Sequence, residues 1–273
     1  MMPRANHLSG SALGLGLVAA LLATACAKRI PLPEHLRPAG VEELRQRMQK
    51  AGSPVQKYFA EARMTYFGAD GRIKGSASLA VMRPQSLRYD LVGPHGGVIE
   101  AFATDGSQLQ LLIPGEARLL EGPATPQNVD RMMSFAPLHL DPQGWVALLF
   151  GEVSVPAGAQ LRYDDTAGHF VVHWSAAGSE VSLGVDPRTS RVVTAQVRQG
   201  ERLASTVLIE ERDPRGLPIR LRMKARVVTP EGSKDESDIR VILRDIEHDP
   251  AGLDAASFRL RPPRGVVPEP IAP

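Results

Sequence analysis

Ser86-Leu87-Arg88-Tyr89-Asp90-Leu91-Val92 alternates at a period of two, with Leu87, Tyr89 and Leu91 on one face and Arg88 and Asp90 on the other. That period belongs to a half-buried strand, because successive side chains of extended backbone point to opposite faces. The same period runs outward in both directions. Upstream, residues 58–67 and 72–83 flank Gly68-Ala69-Asp70-Gly71, whose Asp-Gly step tolerates positive φ and predicts a hairpin. Downstream, Val98–Thr104 follows Gly93-Pro94-His95-Gly96-Gly97, while Gln108–Ile113 and residues 117–121 close over Pro114-Gly115-Glu116. The result is a meander of six strands joined by short turns.

The alternation then stops. Residues 126–135 and 141–150 read as two helices, each opened by a residue suited to its first turn, Thr125 before Pro126 and Asp141 before Pro142. Strands resume at Gln160–Asp164 and 169–174 around Asp165-Thr166-Ala167-Gly168, and continue through 180–185, 191–198, 202–211, Pro218–Val228 and 238–249. Ahead of the meander, Val41, Leu44 and Met48 recur at helical spacing over Val41–Ala51, and Gly52 ends that helix. The expectation is a mainly β domain: an incomplete antiparallel barrel of about 11–13 strands, an N-terminal helix, and a short helical lid over the open side. Its span is 41–261, followed by an extended tail over 262–273.

The chain's start carries a different signal. A weakly basic opening with Arg4 precedes an apolar run over 12–25, then Ala23-Thr24-Ala25 and the chain's one cysteine, Cys26. Basic, apolar and small in that order describe a secretory signal over 1–25. The run is about 14 residues, short of the ~20 that a permanent spanning helix needs. The segment resembles the lipobox of bacterial lipoproteins, although Ala23 stands where leucine is usual. That resemblance implies acylation of Cys26 and a membrane anchor, and Ala27 in place of Asp implies the outer membrane, facing the periplasm. With Cys26 so used, no disulfide forms within the chain. Residues 26–40, holding Pro31, Pro33 and Pro38, read as a lipidated cysteine and tether that would reach roughly 40 Å if extended.

The order of helix, six-strand meander, two helices and further hairpins resembles the periplasmic lipoprotein-carrier (LolA/LolB) superfamily. The loop sequence Tyr89-Asp90-Leu91-Val92-Gly93-Pro94-His95-Gly96-Gly97-Val98-Ile99-Glu100 is similar to the outer-membrane receptor branch. Phe258-Arg259-Leu260-Arg261-Pro262-Pro263-Arg264-Gly265-Val266 is similar to the closing strand of the carrier branch. The resemblance implies an apolar cavity that accepts acyl chains or lipidated proteins. Candidate lining residues are Leu79, Val81, Leu87, Tyr89, Leu91, Leu109, Leu111 and Ile113 from strands. The lid contributes Met132, Met133, Trp145 and Leu149. An aromatic content of 5% leaves few large rings to fill a wide half-barrel. Where the receptor branch carries a membrane-inserting leucine at its loop tip, this chain has His95, a poor wedge near neutral pH.

Signals for chemistry are thin. Gly-x-Ser-x-Gly and Gly-x-x-x-x-Gly-Lys are absent, and no cofactor is implied. His169 and His173 have metal-like spacing on paper, yet on a strand they stand ~13 Å apart. Asp164-Asp165 lie in a turn, where Asp serves backbone hydrogen bonds. A net charge of +2 gives no field to draw nucleic acid. Arg220, Arg222, Lys224 and Arg226 share one strand face; they read as a solvated face compensated by Glu210 and its neighbours, or as a stripe for anionic headgroups. Function is therefore expected to be binding without catalysis. The alternative is an accessory of an envelope complex that docks partner proteins through sheet edges or the tail over 262–273.

Overall fold

A computed structural model describes residues 29–271, apart from 69–70, 94, 134–137, 139, 177, 201 and 229–233. The signal segment, Cys26, Pro94, Phe135 and His139 lie outside the described residues.

One sheet organises the molecule. Strands β1 (Lys57–Gly68), β2 (Gly71–Met82), β3 (Ser86–Val92), β4 (Val98–Thr104), β5 (Gln108–Ile113) and β6 (Arg118–Pro123) form the first meander. A second meander comprises β7 (Gln160–Asp164), β8 (His169–Ala176), β9 (Ser179–Val185), β10 (Val192–Gln199), β11 (Arg202–Arg212), β12 (Pro218–Val228) and β13 (Lys234–His248). The two meanders join where β1 pairs antiparallel with β13, from Tyr58 opposite His248 to Phe67 opposite Asp238, with a register shift between Phe59 and Glu61. The sheet is open: β7 is one edge, and at the other a two-residue strand, β14 (Glu269–Pro270), runs parallel to β6.

This order explains where the helices go. The chain leaves β6 near one edge and must reach β7 at the other, and the helices described between them pack into the core on the inner face of the sheet. The crossing carries α2 (Pro126–Met132) and α3 (Pro142–Leu149); α1 is Val41–Ala51. Both crossing helices start as their sequences dictate: Thr125 Oγ1 accepts from the Asn128 amide at 3.3 Å, and Asp141 Oδ1 accepts from the Gly144 amide at 2.7 Å. Each cap satisfies an amide that the first turn leaves without a partner, typically contributing ~1 kcal/mol.

The period-two pattern decides which side chains face inward. Tyr58, Ala60 and Ala62 of β1 are buried, as are Ala77, Leu79 and Val81 of β2 and Leu221 and Met223 of β12. They share one core with the inward residues of the other strands and with Val129, Met132, Trp145 and Leu148 of the crossing helices.

The outer face is covered too, and here the structure departs from the sequence expectation. Phe258 does not begin a closing strand; it ends a 3-10 turn, Ala255–Phe258, capped by Asp254. Phe258 and Leu253 pack on Ala80 of β2, and Leu260 packs on Ala101, Ala103 and Leu119. The described part of the tail turns once, where the Val266 amide donates to the Pro263 carbonyl at 3.0 Å, and is then held: Glu269 pairs with Leu120, Arg118 bridges to Glu269 at 3.0 Å, and the Ile271 amide donates to the Glu121 carbonyl at 3.0 Å. Docking a partner there would require displacing these contacts.

The expected tether is likewise fastened. The Ile30 amide donates to the Asp165 carbonyl at 2.6 Å, the Tyr163 hydroxyl donates to the Ile30 carbonyl at 2.9 Å, and Arg47 donates to the Leu36 carbonyl at 2.9 Å. The reach of roughly 40 Å does not hold, because residues 30–40 lie against β7, the β7–β8 turn and α1 rather than away from the domain.

Candidate functional site

The inner face brings together all twelve residues expected to line a cavity. Leu79, Val81, Leu87, Tyr89, Leu109, Leu111, Met132, Met133 and Trp145 are buried in the main core, and Leu91, Ile113 and Leu149 pack against it partly exposed. In this structure they belong to one core cluster with residues of α2 and α3. Tyr89 stacks on Phe102 with ring centroids 5.4 Å apart, and its hydroxyl donates to Glu100 Oε1 at 2.7 Å. Burial, with the Glu100 charge beside it, pushes the Tyr89 phenol well up and keeps it protonated.

Trp145, at 3% exposure in the middle of α3, has a buried Nε1–H with no acceptor among the described residues. Most buried donors find a partner, so an orphaned one marks a position where an acceptor can be added. Around it the helical plug is apolar and contains two methionines, whose flexible side chains fit more than one packing. Tyr58 is the other polar group close to the plug; its hydroxyl donates to the Leu149 carbonyl at 3.4 Å and its ring meets Phe150 edge-on at 5.4 Å.

A second locus, which sequence reasoning missed, lies at one end of the half-barrel. Arg83, at the β2–β3 turn, donates to both oxygens of Glu152 at 2.7 Å and sits 4.0 Å over the Phe150 ring. Arg212 donates to the carbonyls of Gly216, Gly151 and Val192. His248 meets Asp213 at 2.6 Å. Apart from the local Arg212–Gly216 bond, these contacts join residues 20 to 69 apart in the chain, and no local pattern announces them. The one available cue was a set of arginines at strand ends, beside turns that hold a proline, Pro84, Pro187 and Pro214. A cavity of about 430 Å³ opens in this region and shares no lining residue with the twelve.

The basic strand face is compensated, chiefly by Asp238 and Glu211, with the Glu210 charge also acting on Arg222. Arg222 makes a two-pronged pair with Asp238, with Nε–Oδ1 at 2.9 Å, and Arg220 reaches Glu211 at 3.2 Å. Lys224 is exposed and stands opposite Asp238 in register, and Arg226 is also partnered. Asp164 serves its turn by accepting from the Thr166 and Ala167 amides, both at 3.0 Å. His95 is exposed in the β3–β4 turn, where the Gly93 amide donates to the Gly97 carbonyl. The flanking Val98 and Ile99 are also exposed.

An open antiparallel half-barrel plugged by two helices defines a structural class, and comparison places it. No family model and no curated protein matches the chain in sequence. In structure, it is similar to a LolA superfamily protein from Nitrosomonas europaea, with a TM-score of 0.52 and 13% identity over 82% of this chain and 99% of that one. It is also similar to a DUF1329 family protein from Desulfovibrio piger, with a TM-score of 0.54 and 12% identity over 79% and 94%. A third similar structure, described as an outer membrane lipoprotein-sorting protein domain from Vibrio parahaemolyticus, gives 0.53 and 11% over 80% and 95%. The described residues therefore carry a LolA/LolB-like fold.

Proposed function

We propose that this chain is a lipoprotein, acylated at Cys26 and held at the outer membrane facing the periplasm, whose half-barrel binds an acyl chain on its inner face beneath α2 and α3. The chain would be free or attached to a lipidated protein. The observation that carries this reading is the unpaired Nε1–H of Trp145 at the centre of an otherwise apolar plug. An ester or amide carbonyl at the head of an acyl chain supplies the missing acceptor, while the chain itself takes the place of plug contacts on the inner strands.

Binding of this kind is powered by apolar area removed from water, at ~25 cal/mol per Å². It uses no covalent step. Room comes from movement of α2 and α3, helped by the repacking of Met132 and Met133 and by the small side chains Ala60, Ala62 and Ala77 on the strands below. Support for lipid as the ligand class also comes from the fold shared with the lipoprotein-sorting domain. Membrane contact is assigned to Cys26, not to the His95 loop.

Two measurements test this. Protein begun after Cys26 and exported to the periplasm is extracted and its lipids counted by mass spectrometry; about one acyl lipid per chain is expected. In the full chain carrying Trp174→Phe, Trp145 is the remaining tryptophan, and brominated palmitate is expected to quench it. Absence of both co-purifying lipid and quenching refutes the proposal. The burial of nine of the twelve inner residues in one core favours a second reading, an accessory that has kept the fold and carries no cargo, and the same null result selects it.

A further inference from the structure

The cavity at the end of the half-barrel lies among α1, the C-terminal end of α3, and the β9–β10 and β11–β12 turns. Four arginines line it, Arg45, Arg83, Arg191 and Arg212, against two carboxylates, Glu42 and Glu152. Both carboxylates are taken. Glu42 accepts from Arg45 at 2.6 Å, and Glu152 accepts from Arg83 through both oxygens. Arg191 and Arg212 have no carboxylate within ion-pair distance among the described residues. Arg212 spends its terminal nitrogens on backbone carbonyls; Arg191 gives only Nε, to the Ala51 carbonyl at 3.1 Å. Its two terminal nitrogens have no protein acceptor among the described residues.

The loops are shaped around these two guanidinium groups. A Cβ on Gly216 would fall 2.7 Å from Arg191 Nη2, and one on Gly151 would fall 2.1 Å from Arg212 Nη1. Both glycines also hold positive φ, 90° and 71°, which other residues rarely adopt. Burial, and then the charge of Arg191, bring Arg212 down to about 10. Two like charges held together in a partly desolvated pocket raise each other's energy, and an anion between them relieves it.

We propose that this cavity binds a phosphate group, as inorganic phosphate or a phosphomonoester, between Arg191 and Arg212. Glu152 and Asp213 act on Arg212 only from beyond ion-pair contact, and two guanidinium groups so placed match a group carrying about −1.5 to −2 near neutral pH better than they match a single carboxylate. The guanidinium fork suits phosphate oxygens. A nucleotide is disfavoured because the one aromatic ring in the wall, Phe150, is already covered by Arg83. Met48, Val146 and Val155 add an apolar wall, compatible with a phosphate that is the headgroup of an amphiphile. The cavity shares no lining residue with the twelve inner-face candidates, and the proposal stands independently of the function proposed above.

The test uses the full chain in a nonionic detergent. Inorganic phosphate is expected to raise the melting temperature saturably above chloride at matched ionic strength. Arg191→Gln is expected to weaken the apparent affinity by about tenfold or more, and Arg191→Lys by less. Arg220→Gln, outside the cavity lining and paired with Glu211 at 3.2 Å, should leave it unchanged. No shift beyond chloride, or an equal shift in Arg191→Gln and Arg191→Lys, overturns the proposal. Calorimetric titration with dihexanoyl phosphatidic acid then separates the sources, with dihexanoyl phosphatidylcholine as the control for acyl partition. Tighter binding than inorganic phosphate assigns a lipid headgroup; equal or weaker binding assigns the free ion.

Discussion

Trp145→Phe separates the two roles that a buried indole can play. If Nε1–H is unpaired, as the structure has it, the wild-type core carries a desolvated donor that costs about 1–3 kcal/mol. Phenylalanine removes that donor. Its side chain is also roughly 40 Å³ smaller, and at about 24 cal/mol per Å³ the void costs about 1 kcal/mol. Lost apolar burial adds about 1 kcal/mol more. The terms nearly cancel, so stability should stay within about 1 kcal/mol of wild type, against the ~3–5 kcal/mol typical of Trp→Ala in a core. Urea unfolding of the full chain followed by circular dichroism measures this without relying on tryptophan emission. Ligand binding should move the other way: lipid recovered per chain should fall, because the carbonyl loses its donor. A loss of 3 kcal/mol or more in Trp145→Phe would mean that the indole N–H is satisfied in the folded protein, and the argument for an acceptor-seeking plug would fail.

Other expectations follow from contacts already described. Phe258→Ala should cost about 3–5 kcal/mol by urea unfolding, because the ring is buried at 1% exposure and anchors the C-terminal segment on the outer face. Burial raises the Asp105 carboxyl, but the Gln108 and Ser107 amides, the Ser107 hydroxyl and Arg259 outweigh it and bring it down to about 2. A depressed carboxyl stabilises above its unfolded value, near 4, and that contribution fades as pH falls through about 2. Asp105→Asn should therefore flatten the acid limb of a stability–pH profile in that window; an unchanged limb counts against the assignment. Tyr163→Phe removes the donor to the Ile30 carbonyl. Proteolysis after Arg29 should accelerate while global stability changes by no more than about 1 kcal/mol.

The strands were legible because period two is written into each of them. Leu87, Tyr89 and Leu91 face the core as their alternation requires, and Leu221, Met223 and Ala225 do the same opposite the arginines of β12. Helices α2 and α3 were legible through Thr125-Pro126 and Asp141-Pro142, since a cap is a local event. What stayed hidden was decided between distant residues. Glu269 and Pro270 form a strand only because β6 offers a free edge, and proline would argue against one in isolation. Arg83, Arg191 and Arg212 carry no local signal, because their partners are backbone carbonyls and a glutamate from elsewhere in the chain. The inner-face residues share one core, but whether such a face is filled or hollow depends on how closely α2 and α3 approach it, and no spacing encodes that distance.

The seam between β1 and β13 sets the order in which this molecule can assemble. Within each meander neighbouring strands follow one another closely, so their pairing closes short loops and is fast. The seam pairs Tyr58 with His248, near opposite ends of the domain. A chain made N-terminus first must carry β1, with its Tyr58-Phe59 edge unpaired, until nearly all of the rest has been produced. Over that interval the edge is open to pairing with other chains. Folding of this protein should thus depend on concentration, with losses to aggregation that β13, supplied in time, prevents.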